Sequence, residues 1–145
     1  MKTTQIILIA FTIFIFSGCS KNNENIADAL TSKTWKKGLV DKNPSTNPKE
    51  RTMYSPIYDC EKDDTYKFRS DEKLVLNKST VKCDQNESQT ETHNYTIDRA
   101  NKRLIINGYP YSLAEESATQ IKYYAAVPFS DGLVNVIYLL HSSNK

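Results

Sequence analysis

The sequence is poor in the residues that most catalytic and metal sites require. Only two histidines occur among its 145 residues, His93 and His141, and they lie far apart. It has no His-x-x-x-His spacing, no paired cysteine ligands and no histidine beside a cysteine, although a zinc site or a nucleophilic enzyme would need such groups. We therefore expect no catalytic residue, no metal site and no cofactor, and we do not expect an enzyme.

An excess of basic residues is also lacking. The chain has 19 Lys and Arg residues against 17 Asp and Glu residues, and no basic stripe runs along it. Nucleic-acid-binding domains display such a stripe, so nucleic acid is not an expected partner. Four acidic residues near position 60 could supply oxygen ligands to calcium, but the glycine and the later bidentate glutamate of a calcium loop are missing. We interpret them as a solvated strand end: Asp59, Glu61, Asp63 and Asp64.

Long hydrophobic runs are absent except at the N-terminus. Residues 6–16 form an apolar run that only Thr12 interrupts, and Lys2 places a positive charge before it. The run is too short to span a bilayer as a mature helix, and it has the length of a secretory signal sequence. Residues 17–19 follow with the sequence Ser-Gly-Cys, which resembles a bacterial lipoprotein processing site.

This resemblance implies that residues 1–18 are a lipoprotein signal peptide and that Cys19 is acylated. Residues 19–29 would then be a lipidated polar tether; the alternative is an ordinary signal peptide with a spare cysteine. Several acyl chains would hold the protein firmly on a membrane. Ser20 rather than aspartate follows the cysteine, and no acidic run comes after it. In the lipoprotein systems that the sequence resembles, these features favour the outer membrane, and its periplasmic face over the cell surface.

The other two cysteines, Cys60 and Cys83, flank a predicted β-hairpin. Between them Tyr66 and Phe68 alternate with charged residues, a polar turn follows, and residues 74–76 resume the alternation. Pairing of the two strands would carry both cysteines to the same end of the hairpin, within bridging distance. Because an exported protein folds in an oxidising compartment, we expect a disulfide between them, with two free buried thiols as the alternative.

Short strands account for most of the remaining chain. Nine tyrosines and five phenylalanines against four glycines favour a β-rich fold. Alternating apolar residues and turn signals, among them Asn107-Gly108, predict about eight short strands, with a long loop at residues 41–55. The last strand is apolar on both faces, so we expect another segment to cover its outer face. The pattern predicts an all-β antiparallel barrel or sandwich, and the interior of such a barrel is either filled or holds one small ligand.

Seven aromatic side chains fall on the predicted inward faces of these strands. The simpler interpretation is that they pack the core. Tyrosine is an unusual filler for a dry core, however, because each buried hydroxyl needs a hydrogen-bond partner. The alternative is a pocket with an aromatic wall, whose phenols orient an apolar guest. These candidate ligand-binding residues are Trp35, Tyr66, Phe68, Tyr95, Tyr111, Tyr123 and Tyr138.

Four features occur in order along the chain: Leu30 with Trp35, the acidic segment 59–64, Tyr66-Lys67-Phe68 and Lys82-Cys83-Asp84. Together with the processing site, they resemble the lipocalin-like domain lipoproteins of Bacteroidetes-type bacteria over residues 30–141. The resemblance implies that residues 30–145 form a small up-and-down, lipocalin-like β-barrel. Members of that family mostly have no known ligand.

The combined features predict a lipid-anchored β-barrel of the cell envelope that binds a small hydrophobic or amphipathic ligand. Its partners would be that ligand and the membrane, which the N-terminal lipid would enter. The long loop at residues 41–55 and the two-sided last strand support an alternative. In that alternative the protein is an interaction module, such as an inhibitor or an accessory subunit of an outer-membrane complex, with an envelope protein as partner and no small-molecule ligand.

Overall fold

The computed structural model describes residues 29–143, and these form a β-barrel with little helix. The predicted signal peptide, Cys19 and the tether up to residue 28 lie outside the described residues. Within the described range, no helix is long and apolar enough to cross a membrane. The strands are β1 (Trp35–Lys37), β2 (Thr52–Tyr54), β3 (Thr65–Phe68), β4 (Lys73–Asn77), β5 (Thr90–Asp98), β6 (Arg103–Ile106), β7 (Tyr109–Glu116), β8 (Gln120–Phe129) and β9 (Gly132–Ser142).

Eight of these strands close into an antiparallel barrel. From β3 to β9 each strand pairs with the next one along the chain, and β1 pairs with β3 on one side and with β9 on the other. The closing ladder places Trp35 opposite Ser142 and Lys37 opposite Leu140. The prediction of an all-β antiparallel barrel of about eight strands is therefore confirmed.

The predicted turn at Asn107-Gly108 fixes the register of one hairpin. Both residues have positive φ, 51° and 83°, and they join β6 to β7 with two residues between the strands. The register that follows places Leu104 opposite Tyr111, and both side chains belong to the core. A slip by one residue would turn these side chains to the outside.

Large apolar side chains fill part of the barrel interior. Trp35 and Phe68 are completely buried, and Phe68 meets Tyr95 edge to face with ring centroids 4.9 Å apart. A helical turn at residues 29–32 closes this region, where the indole Nε1 of Trp35 donates a 3.0 Å hydrogen bond to the carbonyl of Leu30. Because Trp35 and Phe68 have no exposed surface, this region is solid core. Burial of each such side chain contributes about 1.5–3 kcal/mol to stability.

The segment between β1 and β2, residues 38–51, runs over the outside of the barrel, and we call it the strap. It leads into β2, which pairs in parallel with β9 from Asn135 to Ile137. The prediction of a loop throughout residues 41–55 is wrong at β2. All three residues of β2 are exposed, and they show no apolar alternation. Only the backbone ladder with β9 makes this segment a strand.

The strap covers the outer face of β8 and β9. Ile137 and Leu139 point outward from the barrel, yet they are only 1% and 7% exposed. Gln120 and Lys122 on the adjacent strand are also buried on this face, and both bond to residues of the strap. The expectation that another segment covers the outer face of the last strand is therefore confirmed.

A disulfide joins Cys60 to Cys83, as predicted, with their Cα atoms 5.2 Å apart. It links a short 3₁₀ turn before β3, Asp59–Glu61, to the loop that follows β4. The interpretation of the acidic residues as a solvated strand end is wrong for Asp64, which is buried because its carboxylate accepts a 2.9 Å hydrogen bond from the amide of Ser79 in the same loop. The two loops at this end of the hairpin are therefore tied together twice.

Candidate functional site

A pocket of about 130 Å³ opens through the barrel wall at the edge of β9. Here the ladder with β1 ends at Leu140, after which the amide of Gly38 donates one more hydrogen bond to the carbonyl of Leu139, and the parallel ladder with β2 ends at Ile137. The interruption between these two strands leaves a gap. Because the pocket lies at this edge, it is lined by both inward and outward side chains of β9, Tyr138 and Leu139 among them. Larger and more open depressions lie around residues 99–103 and beside residues 45–50 of the strap.

Tyrosines of the barrel interior form one wall of the pocket. Tyr123 and Tyr138 are cross-strand partners, and their rings stack with centroids 5.2 Å apart and a 9° angle between their planes. Tyr111 supports both rings by edge-on contacts, at 5.1 Å from Tyr123 and 5.8 Å from Tyr138. Tyr66 adds a further ring from β3. Packing from several strands thus fixes this wall in place.

The hydroxyl groups of Tyr66, Tyr123 and Tyr138 have no hydrogen-bond partner anywhere in residues 29–143. In this range every fully buried side-chain oxygen or nitrogen has a hydrogen-bond partner. Because these three oxygens have none, they are not fully buried. Tyr95 differs, because its hydroxyl donates a 2.8 Å hydrogen bond to the carbonyl of Arg69. The pocket therefore presents three phenolic groups that are available to a ligand.

The electrostatics of the pocket favour protonated phenols. Burial raises the pKa of Tyr66, and the nearby carboxylates of Asp64 and Glu61 raise it further. Burial also raises the pKa of Tyr123. Among the described residues that line the pocket, Lys37 is the one charged side chain, and its ammonium lies 2.5 Å from a carboxylate oxygen of Glu61. The pocket thus offers hydroxyl donors but no unpaired cation.

The mouth of the pocket is shaped by both ends of the strap and by β2. Leu39 is 75% exposed at the rim. Gly38 precedes it, and a Cβ atom at this position would lie 2.6 Å from the ring of His141, so only glycine fits there without a shift. On the other side, the hydroxyl of Tyr54 donates a 2.9 Å hydrogen bond to Asp41. The rim is therefore held by contacts of the strap with β2 and with β9.

A buried polar cluster under the strap holds it against β8. The ammonium of Lys122 donates to the carbonyl of Asn43 at 2.6 Å, to Thr46 Oγ1 at 2.8 Å and to Asn47 Oδ1 at 2.7 Å. It also lies 2.8 Å from Oδ2 of Asp41. Burial acts to raise the pKa of Asp41, but hydrogen bonds, chiefly from Lys122, hold this pKa down at about 2. The strap is therefore fixed by an ion pair in which both groups are hydrogen-bonded.

The seven candidate ligand-binding residues divide between pocket and core. All of them belong to the core or pack against it, but only Tyr66, Tyr123 and Tyr138 line the pocket. Trp35, Phe68 and Tyr95 lie in the solid core and Tyr111 lies behind the aromatic wall. Sequence reasoning missed Leu39, Ile57 and Leu139 as lining residues. For Leu139 a signal existed, because the last strand was apolar on both faces.

Comparisons of the chain with protein-family models, with curated proteins and with solved structures find no match. In the part of the chain that the structure describes, no group of three His, Cys, Asp or Glu side chains is placed to hold a metal ion. A functional proposal therefore rests on the pocket and on the N-terminal sequence.

Proposed function

We propose that this protein is a lipid-anchored β-barrel of the cell envelope that binds a small hydrophobic or amphipathic ligand in the pocket at β9. The observation that supports binding is a set of three phenols that have no hydrogen-bond partner among residues 29–143, in a wall that is otherwise largely apolar. A polar group that is desolvated without a new partner costs about 1–3 kcal/mol. A ligand with a polar atom would partner these phenols, while its apolar part contacts Leu39, Ile57 and Leu139.

The proposed location rests on the N-terminal sequence and on the disulfide. Residues 17–19 resemble a lipoprotein processing site, which would place a lipid on Cys19. The bond between Cys60 and Cys83 is typical of proteins that fold in an oxidising compartment. Both features agree with attachment to a membrane of the cell envelope. Ser20 in place of aspartate, with no acidic run after it, favours the outer membrane and its periplasmic side.

Replacing Cys19 with serine should abolish acylation, because the serine hydroxyl does not replace the thiol that receives the lipid. The measurement is incorporation of labelled palmitate into the full chain in a bacterial host. Cys60→Ser is the matched control and should keep the label, because Cys60 is bound to Cys83 and lies about 40 positions along the sequence from Cys19. Label in the Cys19→Ser protein, or none in the unchanged protein, would contradict lipid anchoring.

A tryptophan at Leu39 should obstruct the mouth of the pocket and weaken ligand binding by about tenfold or more, since an indole in this entrance would displace ligand contacts worth about 1.4 kcal/mol. The full chain in nanodiscs, with labelled tyrosine rings, is titrated with a panel of fatty alcohols, fatty acids and single-ring compounds. Binding is measured from the NMR shifts of Tyr123 and Tyr138, with the exposed Tyr109 as the remote reference.

Val40→Trp is the matched control for this substitution. Val40 is adjacent in sequence and 69% exposed, but it does not line the pocket. It should therefore leave binding unchanged while adding the same apolar surface. Equal binding by Leu39→Trp and Val40→Trp would place the ligand elsewhere, and a panel without any binder would contradict the proposed function.

A further inference from the structure

We infer that the ligand of this pocket is a neutral molecule of single-ring size that carries an oxygen atom, an inference that rests on the ligand-binding function proposed above. Three properties of the pocket support it: its volume, the position of its phenols and its charge. Each of them excludes part of the broad class of small hydrophobic and amphipathic molecules.

The volume limits the size of the enclosed group. The pocket measures about 130 Å³, and an apolar cavity of about 150 Å³ is large enough to hold benzene. Pockets that enclose drug-sized ligands measure about 300–1,000 Å³. Trp35 and Phe68 are completely buried in the core and do not line the pocket, so the pocket does not extend into that part of the barrel interior. A long acyl chain could therefore insert only its end, whereas a single ring could be enclosed.

The phenols require a ligand that is polar at one point. The hydroxyls of Tyr66, Tyr123 and Tyr138 have no partner in the described part of the chain. The rings of Tyr123 and Tyr138 stack with centroids 5.2 Å apart, and Tyr66 lines the same pocket. An oxygen atom of a ligand could therefore accept a hydrogen bond from one or two of these hydroxyls in place of water. A plain hydrocarbon would leave them desolvated and unpaired.

The charges around the pocket disfavour an anion. The ammonium of Lys37 is already paired with Glu61. The carboxylates of Asp64, Glu61 and Glu91 lie near enough to Tyr66 to add to the rise in its pKa. Lys37 balances the charge of Glu61, and Lys78 balances that of Glu91 at 2.7 Å. A carboxylate ligand would therefore enter the pocket without a free cation among the described lining residues. A neutral oxygen function, such as an alcohol or a carbonyl, needs no such cation.

Four probes of known chemistry separate these requirements. Benzyl alcohol is neutral, has one ring and carries oxygen; benzoate has the same ring with a negative charge; toluene lacks the oxygen; 1-dodecanol has the oxygen on a long chain. Each is titrated into the full chain in nanodiscs, with empty nanodiscs as the partition control. We expect benzyl alcohol to shift the ring signals of Tyr123 and Tyr138 with an affinity about 3- to 10-fold higher than that of toluene, benzoate or 1-dodecanol.

Substitution of the phenols tests whether they cause the preference. In Tyr66→Phe and Tyr138→Phe the ring remains and only the hydroxyl is removed, so the preference for benzyl alcohol over toluene should fall towards one. Tyr109→Phe is the control, because Tyr109 is exposed and does not line the pocket. The far-ultraviolet circular dichroism of each variant shows whether the barrel is kept.

The outcomes distinguish this inference from the proposed function. Preferential binding of benzyl alcohol that depends on the phenols supports the inference. Tighter binding of benzoate or 1-dodecanol in the same pocket, or a preference that survives removal of the hydroxyls, overturns it but leaves ligand binding in place. Absence of binding by all four probes and by the wider panel would overturn both.

Discussion

Replacing Lys122 with alanine is expected to lower the free energy of unfolding by about 3–5 kcal/mol, the range found when one partner of a buried ion pair is removed. Lys122 is 0% exposed, and its ammonium contacts one carboxylate and three neutral oxygens of the strap. Without it, the side chain of Asp41, which is only 5% exposed, keeps its charge without a cation. Denaturant unfolding of the full chain measures the loss.

Two comparisons make this prediction specific to burial. Lys36 is about one-third exposed and lies 3.6 Å from the exposed Asp63, so Lys36→Ala should cost about 1 kcal/mol or less. The double substitution of Lys122 with methionine and Asp41 with asparagine should be less destabilising than the sum of the single changes, because no charge is left unpaired. The prediction would be contradicted if the stability losses of the single changes at positions 122 and 41 added up in the double variant. It would also be contradicted if Lys36→Ala and Lys122→Ala lost equal stability.

The pH dependence of this loss follows from the pKa of Asp41. This pKa is about 2 in the folded protein against 3.8 as its ordinary value, so the carboxylate stabilises the fold above about pH 4. That contribution, about 2 kcal/mol, disappears as the pH falls through 2. The difference between the unchanged protein and Lys122→Ala should therefore shrink between pH 4 and pH 2. A difference that stays constant over this interval would exclude Asp41 as its cause.

The barrel and the disulfide could be predicted from the sequence because their signals are local. Alternation in the segment that holds Tyr66 and Phe68 sets the inward face of that hairpin, and the turn at Asn107-Gly108 sets another register. Lipidation of Cys19 remains a prediction, and with it the division of three cysteines into one anchor and one pair. Only the pairing of Cys60 with Cys83 is tested by the structure, which confirms it.

The strap and the pocket could not be predicted because they depend on contacts between distant segments. Lys122 occupies an outward position of β8 and looks in the sequence like a solvated lysine, while its partners Asn43 and Asn47 lie in a polar, proline-containing stretch. The gap in the wall depends on where β1 leaves β9 and where β2 ends, and the ladder rather than any side-chain pattern sets these positions. Alternation could identify inward tyrosines but not which of them border a gap.

Removal of the disulfide is expected to lower the free energy of unfolding by about 3 kcal/mol. Cys60 and Cys83 are 23 residues apart, and a crosslink over a loop of this length restricts the unfolded chain by about that amount. The residues around Cys83 are exposed, so substitution there removes few packing contacts. The loss should therefore come mainly from the unfolded state and should appear in denaturant unfolding of Cys60→Ser and Cys83→Ser under oxidising conditions.

The double variant Cys60→Ser with Cys83→Ser provides the decisive comparison. Since either substitution alone breaks the same bond, the double variant should be no less stable than the single ones, and a reducing agent should lower the stability of the unchanged protein to a similar level. The variants should also keep the ring signals of Tyr123 and Tyr138, because the bond lies outside the pocket lining. Single variants as stable as the unchanged oxidised protein would show that the crosslink does not stabilise the barrel, and losses that add in the double variant would show that each cysteine acts through its own packing.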